Sequence, residues 1–211
     1  MEKRKGRRGN IFITLGVILL LCSIGLVIYN IRESYLARSS SNKIQEQLAD
    51  IITEERQKER DYDYNVDPIN REMETVEIDG YRYLGVIEIP DLNISLPVMD
   101  ECDYIRLRIA PCHWYGSYYT DDFIICAHNY PSHFNPIRWI NINADVYFTN
   151  VEGVTIHYIV SNIETIMPDE VDKMKNNSKN SDSLNDWDMT LFTCNYSGQN
   201  RCAVRCSRVD E

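Results

Sequence analysis

The sequence predicts a mainly β protein, a closed or nearly closed β-barrel with a few short helices, preceded by one transmembrane helix. Three observations support this prediction. Short runs rich in β-branched and aromatic residues recur between turn-forming residues. Segments with helical periodicity are few. Finally, the uncharged run from Ile11 to Tyr29 has about nineteen residues, which is enough to span a hydrocarbon core of roughly 30 Å.

A basic tip precedes this apolar run. The formal net charge of the chain is −10, of which residues 1–10 carry +4 and the remainder −14. Basic residues ahead of an apolar span are typical of a cytoplasmic N-terminus, so we expect the body of the chain to face the outside of the cell membrane. A cleavable signal peptide is the alternative, but no small-x-small cleavage site closely follows Tyr29. The acidic body disfavours nucleic acid as a partner, because phosphates would be repelled.

We therefore divide the chain into four parts: a cytoplasmic tip (1–10), a transmembrane signal-anchor (11–29), an extracellular stalk or linker (30–73) and a globular domain (74–211). In the stalk, apolar residues recur at helical spacing and a charged run follows them: Ile44, Leu48, Ile51 and Ile52, then 54–60. The pattern predicts a solvated or partly docked helix, interrupted at 61–68. A coiled coil or a partner helix remains the alternative.

The globular domain is predicted to start with a β-hairpin. Strands at 76–78 and 81–89 flank Asp79-Gly80, a pair typical of a type I′ turn. Further strands are predicted at 93–98, 123–127, 145–149, 154–165, 190–194 and from Arg201 onward. Short helices are predicted at 102–109 and 168–175, with irregular chain at 132–142 and 176–186.

The last two strands are predicted to form a hairpin that brings a cysteine and an arginine together. Thr190–Cys194 ends at a polar loop that contains Gly198, and Arg201 starts the next strand. Residues directly opposed in such a pair have Cβ atoms roughly 5 Å apart. A nearby arginine favours the thiolate form of cysteine, which is the nucleophile. Arg205 lies about 13 Å further along the strand, at roughly 3.3 Å per residue, and is therefore too distant to act on Cys194.

The chain has four histidines, and His128 is the candidate for proton transfer. It follows a predicted apolar strand, where a loop residue on a rigid frame is typical of function. His113 and His133 are predicted to lie in loops. His157 is predicted to lie within a strand, where a structural role is expected.

Six of the seven cysteines lie outside the apolar run: Cys102, Cys112, Cys126, Cys194, Cys202 and Cys206. An even number of cysteines in an extracellular domain is typical of disulfide pairing, although a domain of this size does not need disulfides for stability. Cys202 and Cys206 are too far apart along one strand to bond each other and are interpreted as small core residues. A Cys102–Cys112 disulfide is conceivable and stays open.

Four motifs in order resemble those of the sortases, the cysteine transpeptidases of Gram-positive surfaces. Thr190-Leu191-Phe192-Thr193-Cys194 resembles the TLxTC signature, and Arg201 is placed like the active-site arginine. Ala127-His128-Asn129 resembles the GHN or GHR motif of the catalytic histidine. The segment 85–98 is similar to the family's I-x-I-P…PV segment. Together the motifs cover roughly residues 74–208, and the resemblance implies an eight-stranded closed barrel.

The resemblance also implies a mechanism. Cys194 would attack a backbone carbonyl of an LPxTG-like sorting peptide and form a thioester. His128 would donate a proton to the leaving amine, and Arg201 would hydrogen-bond the peptide or the developing oxyanion. A second amine, from a lipid-linked cell-wall precursor or a pilin lysine, would then release the acyl group. Substrate contacts are expected from further residues near these motifs, which are Asn129, Leu96, Pro97, Val98 and Thr193. We expect no cofactor and no metal.

The chain departs from the family's motifs in places. Ala127 stands where glycine is usual, which would restrict the backbone before His128. The connection at 167–187 has room for only a short helix, unlike the long one of class B sortases, which favours a class D-like or divergent enzyme.

Two alternatives come from different classes of function. A cysteine peptidase would hydrolyse the thioester rather than transfer its acyl group. A membrane-tethered zinc or binding domain would use other ligands, Cys126, His128, Cys194, Cys202 and Cys206, but their spacing matches no familiar zinc motif.

Overall fold

The computed structural model describes residues 3–57, 71–175, 187–195 and 198–209. The chain divides into two units, Met1–Leu36 and Ala37–Glu211. The predicted interruption of the stalk at 61–68 and the predicted loop at 176–186 lie outside the described residues.

The first unit is formed by the N-terminal part of helix α1, which spans Lys3–Arg56. From Gly9 onward this helix is long and apolar enough to cross a membrane, judged by length and composition. Its large apolar side chains between Ile11 and Ile31 are exposed, as expected of a surface that faces lipid rather than a protein core. The predicted anchor at 11–29 lies within this segment.

The C-terminal part of α1 belongs to the second unit and packs on its sheet. Ile44, Leu48 and Ile52 are buried in one cluster with Tyr83 and Met99. These positions follow the helical spacing in the sequence, so one stripe of the helix is apolar and the other faces are charged. The stalk helix is therefore docked along this stripe.

The second unit contains a closed eight-stranded barrel, as the resemblance implied. Its strands pair in the order β2–β3–β4–β5–β8–β9–β7–β6, and β6 pairs again with β2. The short strand β1 extends β2 as a hairpin. The bounds are β1 Val76–Ile78, β2 Tyr81–Ile89, β3 Ile94–Met99, β4 Cys112–Tyr115, β5 Phe123–Ala127, β6 Asp145–Asn150, β7 Thr155–Ile166, β8 Met189–Cys194 and β9 Arg201–Arg208.

Two of the pairings are parallel. They are β3 with β4 and β5 with β8, whereas the other neighbours run antiparallel. The turn between β1 and β2 has positive φ at both Asp79 and Gly80, as a type I′ turn requires. The barrel interior is filled by apolar side chains from most strands, among them Phe123, Phe148 and Leu191.

Gly85 allows the barrel to close. It pairs with Val98 of β3 on one side and with Asn150 of β6 on the other. A Cβ atom at this position would lie 2.1 Å from the carbonyl oxygen of Thr149. Only glycine permits two neighbouring strands to approach the backbone this closely.

Several elements differ from the sequence prediction. The helix predicted at 102–109 is only a 3₁₀ turn, Arg106–Arg108, and that predicted at 168–175 shortens to α2, Val171–Lys175. Strand β4 was not predicted, because Pro111 and Gly116 leave only four residues for a pattern to show. Two further 3₁₀ turns are Pro90–Leu92 and Asn135–Trp139.

Candidate active site

Two adjacent parallel strands end at the predicted nucleophile and the predicted histidine. Strands β5 and β8 are paired in register, and their last pair is Ala127 with Thr193. His128 and Cys194 are the next residues on each strand. Parallel neighbours lie about 4.8 Å apart and paired side chains point to the same face. The sheet thus brings His128 and Cys194 to the same edge and the same side.

The predicted hairpin of β8 and β9 is present, and it pairs Cys194 with Arg201. The Arg201 guanidinium turns back over the connecting loop, where Nη1 donates hydrogen bonds to the carbonyl oxygens of Gly198 at 3.1 Å and Asn200 at 3.4 Å. Arg201 therefore supports the loop that follows Cys194 and at the same time lines the cleft described next.

Cys194, His128 and Arg201 all line one cleft with a volume of about 420 Å³. Most of its other walls are apolar, and they come from β4, β7, β8, α2 and the segment before β4. The apolar lining includes Leu107, Trp114, Ile166, Val171, Met174 and Phe192. An apolar cleft with a few convergent polar groups is typical of a site for an extended or small organic ligand.

The His128 ring is enclosed by aromatic neighbours. Tyr104 meets it edge to face with ring centroids 5.5 Å apart, and Tyr130 lies 5.0 Å away. Burial lowers the pKa of His128, and the positive charge of Arg108 lowers it further. Nε2 has no hydrogen-bond partner among the residues that the structure describes. An imidazolium in this place is a stronger acid than usual, and its Nε2 is buried without a partner among those residues.

Arg138 is a site residue that the sequence did not reveal. It lies in the 3₁₀ turn Asn135–Trp139, and its Nη2 donates a hydrogen bond to the carbonyl oxygen of Cys194. Arg138 thus contacts the backbone of Cys194 from a segment that belongs to neither β8 nor β9. An arginine in an irregular segment carries no pattern of its own, so only the tertiary structure shows this role.

Asn129, an expected substrate contact, joins the two strand ends and is not part of the cleft lining. Its Nδ2 donates to the carbonyl oxygen of Asn195 at 3.4 Å, and its own carbonyl oxygen accepts from Asn135 Nδ2 at 3.1 Å. The residue after His128 is therefore tied to the residue after Cys194.

The other predicted substrate contacts lie elsewhere. Thr193 is buried, and its hydroxyl donates to the carbonyl oxygen of Ala127 at 2.8 Å, which strengthens the pairing of β5 and β8. Leu96, Pro97 and Val98 are buried in β3, and Leu96 and Val98 belong to the barrel core. None of these four residues lines the cleft around Cys194.

The comparison with protein families agrees with the motifs and the geometry. A family model described as the sortase domain matches residues 87–209, more than half of the chain. The chain belongs to the sortase family. It is accordingly a cysteine transpeptidase.

Solved sortase structures share its fold. Sortase C from Clostridium perfringens SM101 is 23% identical with a TM-score of 0.51, over 85% of this chain and 91% of its own. Sortase A from Corynebacterium diphtheriae is 18% identical with a TM-score of 0.54, over 87% and 93%. The Clostridium perfringens sortase D5 transpeptidase is 18% identical with a TM-score of 0.51, over 61% and 79%. No curated protein matches the chain.

One wall of the cleft in this sortase is held by a buried arginine. Arg205 is fully buried, and its Nε donates to Glu164 Oε1 at 2.8 Å. Nη1 donates to Thr190 Oγ1 at 2.7 Å and to the carbonyl oxygen of Met174 at 2.9 Å, and Nη2 donates to the carbonyl oxygen of Lys173 at 2.8 Å. Arg205 therefore fixes the end of α2, whose Met174 lines the cleft.

The remaining histidines of this sortase have structural contacts. His113 bridges the carbonyl oxygens of Asp100 and Gly116. His133 is buried, and its Nε2 lies 3.4 Å from Ser41 Oγ. His157 forms a hydrogen bond with the carboxylate of Asp145, and its ring stacks on that of Tyr147. Across the described ranges, no group of three or more His, Cys, Asp or Glu side chains is arranged to hold a metal ion.

Proposed function

We propose that this sortase cleaves an LPxTG-like sorting peptide through a thioester on Cys194 and transfers the acyl group to an amine. The observation that supports the proposal is the register of β5 and β8, whose last pair, Ala127 with Thr193, directly precedes His128 and Cys194, and both of these residues line one cleft. The apolar walls of the cleft suit the apolar side chains of such a peptide.

In this mechanism the thiolate of Cys194 attacks the carbonyl carbon of the scissile peptide bond, and the oxygen becomes negatively charged. Arg201 donates to that oxyanion or to the bound peptide. His128, as imidazolium, gives its proton to the departing amine. A second amine then attacks the thioester and loses a proton to His128, which restores the enzyme. Arg138 and Asn129 hold the backbone around Cys194 and act as positioning residues.

The test uses the full-length protein in detergent with an LPxTG-like peptide, in the presence and absence of an added amine. Mass spectrometry should show cleavage, an acyl-enzyme on Cys194 and a new amide product that depends on the amine. Cys194→Ala should lose all three, whereas the matched control Cys202→Ala should keep them. Equal hydrolysis with and without amine would favour the peptidase alternative, and an acyl group on another cysteine would overturn the assignment of the nucleophile.

We also propose that α1 anchors the enzyme in the membrane with its N-terminus in the cytoplasm, and that its partners are secreted surface proteins and an amine of a cell-wall precursor or pilin. The basic tip and the exposed apolar length of α1 support this orientation. Protease added to wall-stripped cells should digest the chain beyond Tyr29 and spare the tip. A secreted product that lacks the tip would contradict the anchor.

A further inference from the structure

Three cysteines that the mechanism does not use form a cluster beside the cleft. Cys102 Sγ lies 3.1 Å from Cys126 Sγ. Cys112 lies directly opposite Cys126 in the pairing of β4 with β5. Cys102 is exposed, whereas the other two are buried. Two of the three, Cys102 and Cys126, also line the cleft.

We propose that Cys102 and Cys126 form a regulatory or structural disulfide that ties the segment before β4 to the strand that ends at His128. The contact between the two sulfurs is already closer than ordinary van der Waals packing of thiols. The Cys112 thiol is also near Cys102 and donates to the carbonyl oxygen of Ala110 at 3.5 Å. We expect Cys102 to pair with Cys126 rather than with Cys112, the pairing that the sequence left open, because the 3.1 Å contact of its sulfur is with Cys126.

The exposure of Cys102 sets the order of the chemical steps. The Cys102 thiolate attacks one sulfur of a low-molecular-weight disulfide, such as glutathione disulfide, and displaces one thiolate. The buried Cys126 then loses its proton and attacks the Cys102 sulfur, which releases the second thiol. In sum two protein thiols are oxidised to one disulfide, and the external disulfide is reduced to two thiols. Hydrogen bonds from Cys112 and Cys126 lower the pKa of Cys102, which favours it as the attacking group.

The disulfide would act directly on the surroundings of the catalytic histidine. Cys102 lies two residues before Tyr104, whose ring contacts His128, and Cys126 lies two residues before His128 itself. Tyr104 and Ile105 are strongly exposed, so few contacts other than those of their segment hold them in place. A covalent bond between the two segments would keep Tyr104 over the imidazole. This effect on the site rests on the proposed role of His128, but formation of the disulfide does not.

The experiment uses full-length protein in detergent that carries Cys194→Ala, so that the nucleophile takes no part. The protein is equilibrated with mixtures of reduced and oxidised glutathione, free thiols are alkylated, and the chain is digested with trypsin and chymotrypsin. Cleavage after Arg106 or Arg108 separates Cys102 from Cys112, and cleavage after Tyr115 or Phe123 separates Cys112 from Cys126. Oxidising mixtures should give a peptide pair linked through Cys102 and Cys126, with Cys112 alkylated.

Variants and stability complete the test. Because Cys102 is exposed, Cys102→Ser should fold normally and lose the linked pair, whereas the control Cys202→Ser should keep it. Closure of a loop of this length should raise the midpoint of thermal unfolding on the order of 5–10 °C over the reduced protein. Linkage through Cys112, or three alkylated thiols under oxidising conditions, would overturn the proposal. A linked pair without a rise in the midpoint would overturn its role in holding the segment.

Discussion

At the scale of single residues, two arginines on β9 show how position decides role. Arg201 lies opposite Cys194 at the end of the strand and lines the cleft. Arg205 lies opposite Thr190, is fully buried, and makes its hydrogen bonds to protein groups. The donors of Arg201 are within reach of a ligand in the cleft. The donors of Arg205 are already bonded to protein groups and do not reach such a ligand.

We therefore expect Arg201→Ala to reduce the rate of acylation on the order of 10²–10³-fold, as when an oxyanion donor is removed, with little change in the thermal midpoint. Arg201→Lys should recover little of this loss, because an ammonium group cannot reproduce the planar fork of donors. Single-turnover acylation followed by mass spectrometry, together with thermal unfolding, measures both quantities.

Arg205→Ala is the contrasting variant. It leaves Glu164 with Lys173 as its remaining cation and the carbonyl oxygens of Lys173 and Met174 without their donor, so it should lower the free energy of unfolding by about 3–5 kcal/mol. Normal acylation in Arg201→Ala together with loss of acylation in a folded Arg205→Ala would show that the catalytic arginine has been misassigned.

His133 makes the stability of the domain depend on pH. Burial, and secondarily the charge of His128, lowers the pKa of His133 to about 4. An unfolded histidine takes up its proton near pH 6.5, so between these two values the unfolded state binds more protons. The free energy of unfolding should therefore fall by up to ~3 kcal/mol as the pH drops from 6.5 to 4.

Urea unfolding of the full chain at several pH values tests this expectation, with His133→Gln as the matched variant. His128 is shifted in the same direction, so the parent and the variant should both lose stability in acid. The variant should lose less, and the difference between the two isolates His133. Identical pH dependence in both proteins would show that His133 does not titrate in this range.

Sequence patterns located those residues of the proposed site that lie at the ends of regular strands. Cys194, Arg201 and His128 stand at strand ends, and alternation together with turn chemistry locates strand ends. Arg138 and Tyr104 lie in irregular segments that reach the site only through folding, so no local pattern marks them. The substrate contacts expected at Leu96 to Val98 were not found at the cleft, because apolar residues of a strand pack in the core.

At the scale of elements, helix α1 contributes to the core of the second unit. Leu48 is fully buried against the sheet, and Arg56 Nε donates to the carbonyl oxygen of Gly153 at 3.0 Å. Ser41 Oγ donates to the carbonyl oxygen of Ile109 at 2.6 Å. The part of the chain predicted as a stalk thus adds apolar and polar contacts to the catalytic domain.

We expect Leu48→Ala to lower the free energy of unfolding by about 2–5 kcal/mol, the usual cost of a large-to-small change at a buried site. Denaturant unfolding of the full chain measures the change. Gln47→Ala is the matched control, because Gln47 is the preceding residue on the same helix and is exposed. If both variants were equally stable, the docking of α1 would not contribute to the fold.

The segment before β4 shows why some elements escaped prediction. The segment 102–109 was predicted as a short helix, yet only Arg106–Arg108 forms a 3₁₀ turn. Asp103 accepts hydrogen bonds from the backbone and the side chain of Arg106, which stabilises a tight turn instead. Such local side-chain bonds compete with helix formation and are difficult to anticipate from periodicity alone.

At the scale of the whole molecule, closure of the barrel depends on the pairing of β2 with β6. Gly85→Ala would place a methyl group 2.1 Å from the carbonyl oxygen of Thr149, so the strands would have to separate. We expect a loss of stability on the order of 3 kcal/mol, measured by denaturant unfolding.

Gly80→Asn serves as the control for Gly85→Ala. Gly80 has a positive φ of 82°, which asparagine tolerates better than most residues, and it has open space around its Cα. This variant should therefore remain close to the parent in stability. A Gly85→Ala protein as stable as Gly80→Asn would show that the barrel closes without this contact.

The pairing of β5 with β8 also has a consequence for how the enzyme can diversify. These strands are neighbours in the sheet but far apart along the chain, and β6, β7 and α2 lie between them. A residue inserted within either strand would shift one reacting group by about 3.3 Å and turn it to the other face. The chain between the strands can change length without moving either group. Since that chain supplies Ile166 and Met174 to the cleft, the walls that would contact the proposed peptide can change there while His128 and Cys194 keep their positions.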